Sequence, residues 1–120
     1  MIKLVFCCRR KEGMSREAFQ KRWLDVHGPL VRRLRADLPM MKRYVQSHSL
    51  GDDLNEGLRA SRGTKPAYDG ITEVWFDDLA SMAGEGEAAL AASQKLLADE
   101  AEFIDFERSC VFLTEEHEIF

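Results

Sequence analysis

The stretch WLDVHGPL, residues 23–30, sets His27 directly ahead of Gly28 and Pro29 inside an otherwise helical run. Proline donates no backbone hydrogen bond, and its ring crowds the carbonyl four residues back, here that of Asp25. Gly28 adds backbone freedom. The sequence therefore predicts a break or kink, with Pro29 restarting the helix as a favourable first residue. His27 then closes a helical segment beside a bend. A helix C-terminus favours the imidazolium, whereas partial burial favours the neutral ring. A histidine balanced between the two titrates near neutrality and can move protons as a general acid or base. A plainer reading, a histidine that only hydrogen-bonds carbonyls freed at the kink, fits the same spacing.

A second polar set lies in RYVQSH. On a strand, Tyr44, Gln46 and His48 share one face. Tyr44 and His48 then sit about 13 Å apart along the strand, too far to touch but able to bracket a ligand. Both are candidate catalytic partners that hydrogen-bond a substrate oxygen as charge develops on it. In YDGITEVWF, Ile71, Glu73 and Trp75 share one face and Thr72, Val74 and Phe76 the other. Glu73 and Trp75 are expected on the face of Tyr44 and His48, with Trp75 stacking on a substrate ring. An aromatic wall with a few polar groups suits a small-molecule site; a half-exposed strand face would show the same pattern. Trp23 and Phe19 read chiefly as core, and Trp23, one turn before His27, is also a candidate wall of the site. Asp69 joins Gly70 in the turn that opens this strand. His117 sits among Glu115, Glu116 and Glu118 and reads as a surface or dimer-contact residue. Three histidines so scattered match no metal spacing, so no metal ligand is expected.

These residues need a scaffold, and 120 residues suffice for one domain, residues 1–120. The chain is 45% hydrophobic and 32% charged, enough apolar material for a core with a thin margin. A net charge of −4 argues against a nucleic-acid footprint, which needs a basic face. Basic residues do cluster from Arg9 to Lys11 and from Arg32 to Arg35, and a solvated helix face or strand end explains them. Cys7, Cys8 and Cys110 are odd in number and lack a C-x-x-C spacing, which supports neither a disulfide framework nor a zinc site. A reducing cytoplasm is expected. No secretory signal is read at the start, and no run approaches the roughly 18–20 apolar residues of a membrane span.

Ile2–Cys8 reads as a first strand. Ser15 is a good N-cap, with Met14 and Phe19 placed as a hydrophobic staple. Phe19, Trp23, Val26, Leu30 and Leu34 mark one buried helical stripe. A second strand covers 41–50, an irregular loop 51–68, and a third strand the YDGITEVWF segment. Asp78 caps a short helix ending at Gly84, EAALAASQKLLADEAEF continues as helix, and SCVFLTEE is a fourth strand. The order β-α-β-β-α-β is the α+β, ferredoxin-like arrangement: a four-stranded antiparallel sheet with helices on one face. The other face is bare, and a second copy of the chain is its simplest cover.

WLDVHGPLVRRL after a strand and an SREAF helix start, then RYVQSH, YDGITEVWF, DEAEFIDFERS and FLTEEH, together resemble the EthD family, named after a protein of ethyl tert-butyl ether degradation. The resemblance covers almost the whole chain, and Trp23, His27, Gly28 and Pro29 are its most specific part. It implies a dimeric α+β barrel with a pocket between sheet and helices. That superfamily includes cofactor-free monooxygenases, lactone isomerases, polyketide cyclases and some haem-binding enzymes. The matching positions are His27, Tyr44, His48, Asp69 and Trp75; none is singled out as a haem ligand. The resemblance leads us to expect a homodimeric enzyme that works without metal or cofactor on an aromatic, polyketide-like or lactone substrate. The reaction would be an isomerisation, cyclisation, dehydration or cofactor-free oxygenation, with His27 as general acid/base. The alternatives are a non-catalytic accessory that holds a hydrophobic metabolite, for example beside a cytochrome P450 system, and a structural dimer whose sheet face is filled by side chains.

Overall fold

The computed structural model describes residues 1–120. Strands β1 (Ile2–Cys8), β2 (Arg43–His48), β3 (Gly70–Phe76) and β4 (Cys110–Glu115) form one antiparallel sheet in the order β2-β3-β1-β4. Between β1 and β2 run α1 (Arg16–Arg22), a π-helical turn (Trp23–His27) and α2 (Gly28–Leu34). The connection from β2 to β3 carries α3 (Asp52–Arg62), and that from β3 to β4 carries α4 (Leu79–Met82) and α5 (Gly86–Glu100). The ferredoxin-like order is thus present with one added helix. No helix is long and apolar enough to cross a membrane.

The caps sit where the side chains dictate. Ser15 Oγ accepts the Ala18 N–H at 3.0 Å and starts α1. Met14 packs against the core cluster that contains Phe19. Asp78 and Ser81 exchange bonds in a capping box that starts α4. The segment expected as a loop, 51–68, instead forms α3 over its first two-thirds. Asp52 and Asp53 occupy its first turn, where the helix dipole favours acids, and Gly63 ends it at φ +65°. Gly51 and Gly63 mark the ends of this helix, and Gly57 lies within it. Arg16 holds it to α1 through Asp52 at 2.7 Å.

Leu4, Phe6 and Cys8 of β1 and Thr72, Val74 and Phe76 of β3 face the helices. One core cluster joins Cys8, Phe19, Trp23, Phe103 and Ile104; a second joins Leu34, Leu38, Ala89 and Ala92 where α2 meets α5. Trp23 can lie on the sheet because Gly70 has no side chain. A Cβ there would stand 2.7 Å from Trp23 Cη2 and 2.8 Å from the Ser47 carbonyl.

Candidate active site

Pro29 does not break the first helix. Trp23, His27, Gly28 and Arg35 all keep right-handed helical angles, and the chain instead widens by one residue: the Gly28 N–H reaches back five positions to the Trp23 carbonyl. That widened turn accommodates the proline ring, which has no N–H to donate. The Trp23 oxygen also accepts from Gln46 Nε2 of β2, at 3.0 Å. Gly28 is not required by space, since a Cβ would make only ordinary contacts, the nearest at 3.6 Å to Gln46 Nε2.

The extra residue moves the buried stripe. An unbroken α-helical spacing turns Val26 and Leu30 inward, yet Val26 is 46% exposed and the inward positions after Trp23 are His27 and Val31. His27 is therefore carried into the interior, 3% exposed, and lies in mid-helix rather than at a helix end.

Three side chains lock the imidazole. Asp99, in the last turn of α5, accepts from His27 Nδ1 at 2.7 Å. Arg22 grips the same carboxylate with two bonds, Nη2 to Oδ1 at 2.6 Å and Nη1 to Oδ2 at 3.2 Å. The Arg22 guanidinium holds Asp99 below its ordinary range, so the carboxylate is ionised and can only accept. This fixes the His27 proton on Nδ1 and leaves the Nε2 lone pair unbonded by protein. Phe103 supports the ring edge, centroid to centroid 5.4 Å. Burial lowers the His27 pKa; the Asp99 bond and charge oppose that, and Arg22 adds to the lowering. The neutral ring prevails at pH 7.

His27 opens on a cavity of about 480 Å³ between the sheet and the helices, walled mainly by apolar side chains such as Leu4, Phe6, Val31, Val74 and Leu97. Polar groups interrupt that wall besides the imidazole: Tyr44, Thr72, Glu100 and Ser109. Tyr44 stands on β2, its hydroxyl accepting from Gln46 Nε2 at 3.2 Å. Burial raises the Tyr44 pKa, so it is a neutral phenol. Thr72 stands beside it on β3. Glu100 closes α5, and burial first, with repulsion from Asp99 second, pushes its carboxyl up to about 7. A carboxylic acid poised near neutrality and a neutral, oriented imidazole thus share one greasy chamber, the arrangement that separates an acid from a base at one pH.

The other residues named from the sequence fall elsewhere. Trp23 walls the cavity and belongs to the core at once. His48 shares the Tyr44 face, but its ring stacks on Trp23 at 4.5 Å and its Nε2 meets Gln46 Oε1 at 2.9 Å, away from the cavity lining. Tyr44 and His48 are thus linked through Gln46 rather than opened to bracket a guest. Glu73 and Trp75 do not share that face. They project from the side of the sheet opposite the helices, because Tyr44 pairs with Val74, whereas Trp75 pairs with Arg43 and Glu73 with Val45. There Glu73 binds Lys3 at 2.8 Å, and Trp75 lies under the Arg43 guanidinium at 4.7 Å. Asp69 is buried at the head of β3 and is committed to Arg10, accepting its backbone N–H at 2.8 Å and pairing with its guanidinium. Asp99, Glu100 and Thr72 are site residues that the sequence does not single out. Acids are disfavoured in a helix's last turn, and α5 ends on two with no basic residue beside them; that mismatch with the helix dipole was a usable signal.

A model of the EthD domain matches residues 11–107. An ethyl tert-butyl ether degradation family protein from Bacillus halodurans C-125 is 18% identical over 98% of this chain and 99% of its own, with a TM-score of 0.63. The hydroxynitrile lyase of Passiflora edulis is 17% identical over 99% of this chain and 95% of its own, TM-score 0.62. A dimeric ferredoxin-like protein of unknown function from Thermobifida fusca YX is 14% identical over 94% and 88%, TM-score 0.59. No curated protein matches this sequence. At such identities the structural likeness carries the fold alone.

Proposed function

The chain belongs to the EthD family, and from that premise we propose that it is an acid–base enzyme acting on a small, largely apolar substrate, aromatic, polyketide-like or lactone, that bears a carbonyl or hydroxyl group. The observation that carries this reading is the buried His27 on the cavity lining, clamped through Nδ1 by an ionised Asp99, with Nε2 free of any protein partner. Nε2 takes a proton from the substrate, from a carbon beside a carbonyl or from a hydroxyl. The resulting imidazolium is stabilised by Asp99 across the 2.7 Å bond. Tyr44 hydrogen-bonds the oxygen on which charge develops, and Glu100 in its protonated form returns a proton to the departing or rearranged group. Proton removal and proton return within one cavity favour isomerisation, elimination or lyase chemistry. The hydroxynitrile lyase of the same fold lends support to that class.

The test reads proton abstraction without knowing the substrate. Small ketones, lactones and hydroxynitriles are incubated with the protein in heavy water, and NMR follows deuterium entering beside the carbonyl or the release of products. Exchange or turnover that disappears in His27→Gln is expected. Exchange that persists unchanged in that variant overturns the assignment of the base.

Support for a homodimer comes from the sheet face turned away from the helices. Val5, Val45, Ile71, Trp75 and Phe112 lie on it, and Phe112 is about half exposed. A second copy of that face buries them, in keeping with dimeric proteins of this fold. Light scattering at micromolar concentration should give twice the chain mass; a stable monomer refutes this.

A further inference from the structure

A groove of about 840 Å³ runs along the other side of α2, between it and the start of β2. Arg32, Arg33, Arg35, Lys42 and Arg43 line it, and no carboxylate does. In a chain of net charge −4 this is a local excess of positive charge. Arg32, Arg33 and Arg35 form no ion pair anywhere in the chain, while the Arg22, Arg10 and Arg16 guanidiniums all do. Lys42 has only a distant partner, Asp77 at 3.7 Å. Cations at the end of α2 suit its dipole, but that does not explain Lys42 arriving from a separate segment.

The groove is not separate from the catalytic cavity. Val31, Met41 and Tyr44 form a wall common to both. A molecule that reaches past Tyr44 therefore has an apolar end beside His27 and its other end among arginines. We infer that the substrate is an amphipathic anion whose apolar body fills the cavity and whose carboxylate or phosphate is held by Arg32, Arg35 and Lys42. The inference rests on the acid–base reading of the cavity and adds the charge of the substrate to it. Arginine suits the role because its planar fork meets an oxyanion with two parallel bonds and stays charged at every working pH. The groove also raises the local concentration of anions and speeds their arrival, an effect that salt weakens.

Calorimetric titration of the intact protein with 2-naphthoate and with its neutral counterpart 2-naphthamide tests this. The acid is expected to bind about tenfold more tightly at low salt, the sum of a few exposed pairings. The preference should shrink severalfold at roughly 0.5 M salt in the native protein, a measurement that needs no variant. Arg32→Glu with Arg35→Glu should abolish the preference while the amide binds as before. Equal affinities for acid and amide overturn the anion assignment and leave the cavity reading standing. Amide affinity unchanged on filling the cavity with His27→Trp, or no binding of either probe, overturns the cavity reading and this inference with it.

Discussion

Replacing Glu100 by glutamine should make the protein more resistant to heat in mild alkali than the native chain. Glu100 ionises at about 7 in the fold, against 4.5 for the free side chain, first because burial penalises the carboxylate and second because Asp99 repels it. An acid whose folded pKa lies above its unfolded one holds its proton longer in the native state. Stability is then unaffected below about pH 4.5, falls as pH rises towards 7, and stays low above it. Moving from 4.5 to about 7 at ~1.36 kcal/mol per pH unit sets an upper bound of about 3 kcal/mol. Glu100 keeps partial access to the cavity, and water there relaxes the penalty, so about 1–2 kcal/mol is the working expectation. At roughly 4 °C per kcal/mol for a domain of this size, the variant should melt about 4–8 °C above the native protein near pH 8.5. Near pH 5 the two should melt together, because glutamine then replaces a neutral acid of the same shape. The depressed pKa of Asp99 withdraws stability only in acid, as pH falls below its ordinary range, and it does so equally in both proteins. Thermal melts of both proteins between about pH 5 and 9 decide the matter. Curves that stay parallel across that range refute the buried, proton-holding Glu100.

Asp99→Asn should cut turnover by roughly a hundredfold or more, because an amide can donate to Nδ1 and turn the His27 lone pair away from the cavity; a loss under about threefold would deny Asp99 its orienting part. Activity of the native enzyme should follow a bell in pH, rising through the lowered pKa of His27 and falling as Glu100 loses its proton near 7; a profile flat from about pH 5 to 9 counts against the pair. Gly70→Ala should destabilise by about 1–3 kcal/mol, since the new methyl meets Trp23 and the Ser47 carbonyl together; denaturant unfolding with an unchanged midpoint would contradict the close packing. Deleting Asp25, an exposed residue of the widened turn, should cost about 3 kcal/mol in the native chain and clearly less beside Pro29→Ala, because only proline demands the extra residue; additive costs in that double-mutant cycle would sever the link between Pro29 and the π-helical turn.

The strands and the first helix cap were legible because their signals are local. Ile2–Cys8 carries β-branched and aromatic residues bounded by charges, and Ser15 needs only the next three residues to act as a cap. The faces of the strands were harder. Alternation tells that Tyr44 and His48 point one way and that Glu73 and Trp75 point together. It cannot tell which set of one strand faces which set of the next, because that depends on the pairing register, and a shift of one residue exchanges the faces. The register that pairs Tyr44 with Val74 put Trp75 on the opposite side. The segment 51–68 was misread for a related reason: glycine and proline weigh heavily in a local reading, although Gly51 and Gly63 only bracket the helix between them.

The catalytic reading turns on one residue of register in the first helix. Had the chain kept a plain α-helix through WLDVHGPL, Val26 and Leu30 would continue the inward stripe and His27 would stand at its edge. Proline prevents this in an unexpected way: the helix takes up one extra residue instead of breaking, and the added rotation carries His27 into the interior beside the cavity. Burial alone would leave a neutral imidazole free to present either nitrogen. The acids that end α5, unfavourable there for the helix itself, resolve the choice: Asp99 is kept charged by Arg22 and takes the Nδ1 proton, while Glu100, pressed by burial and by Asp99, keeps its own. Two acids adjacent in sequence so differ in protonation just below neutrality, and the local cost at the helix end sustains a base and an acid in one cavity.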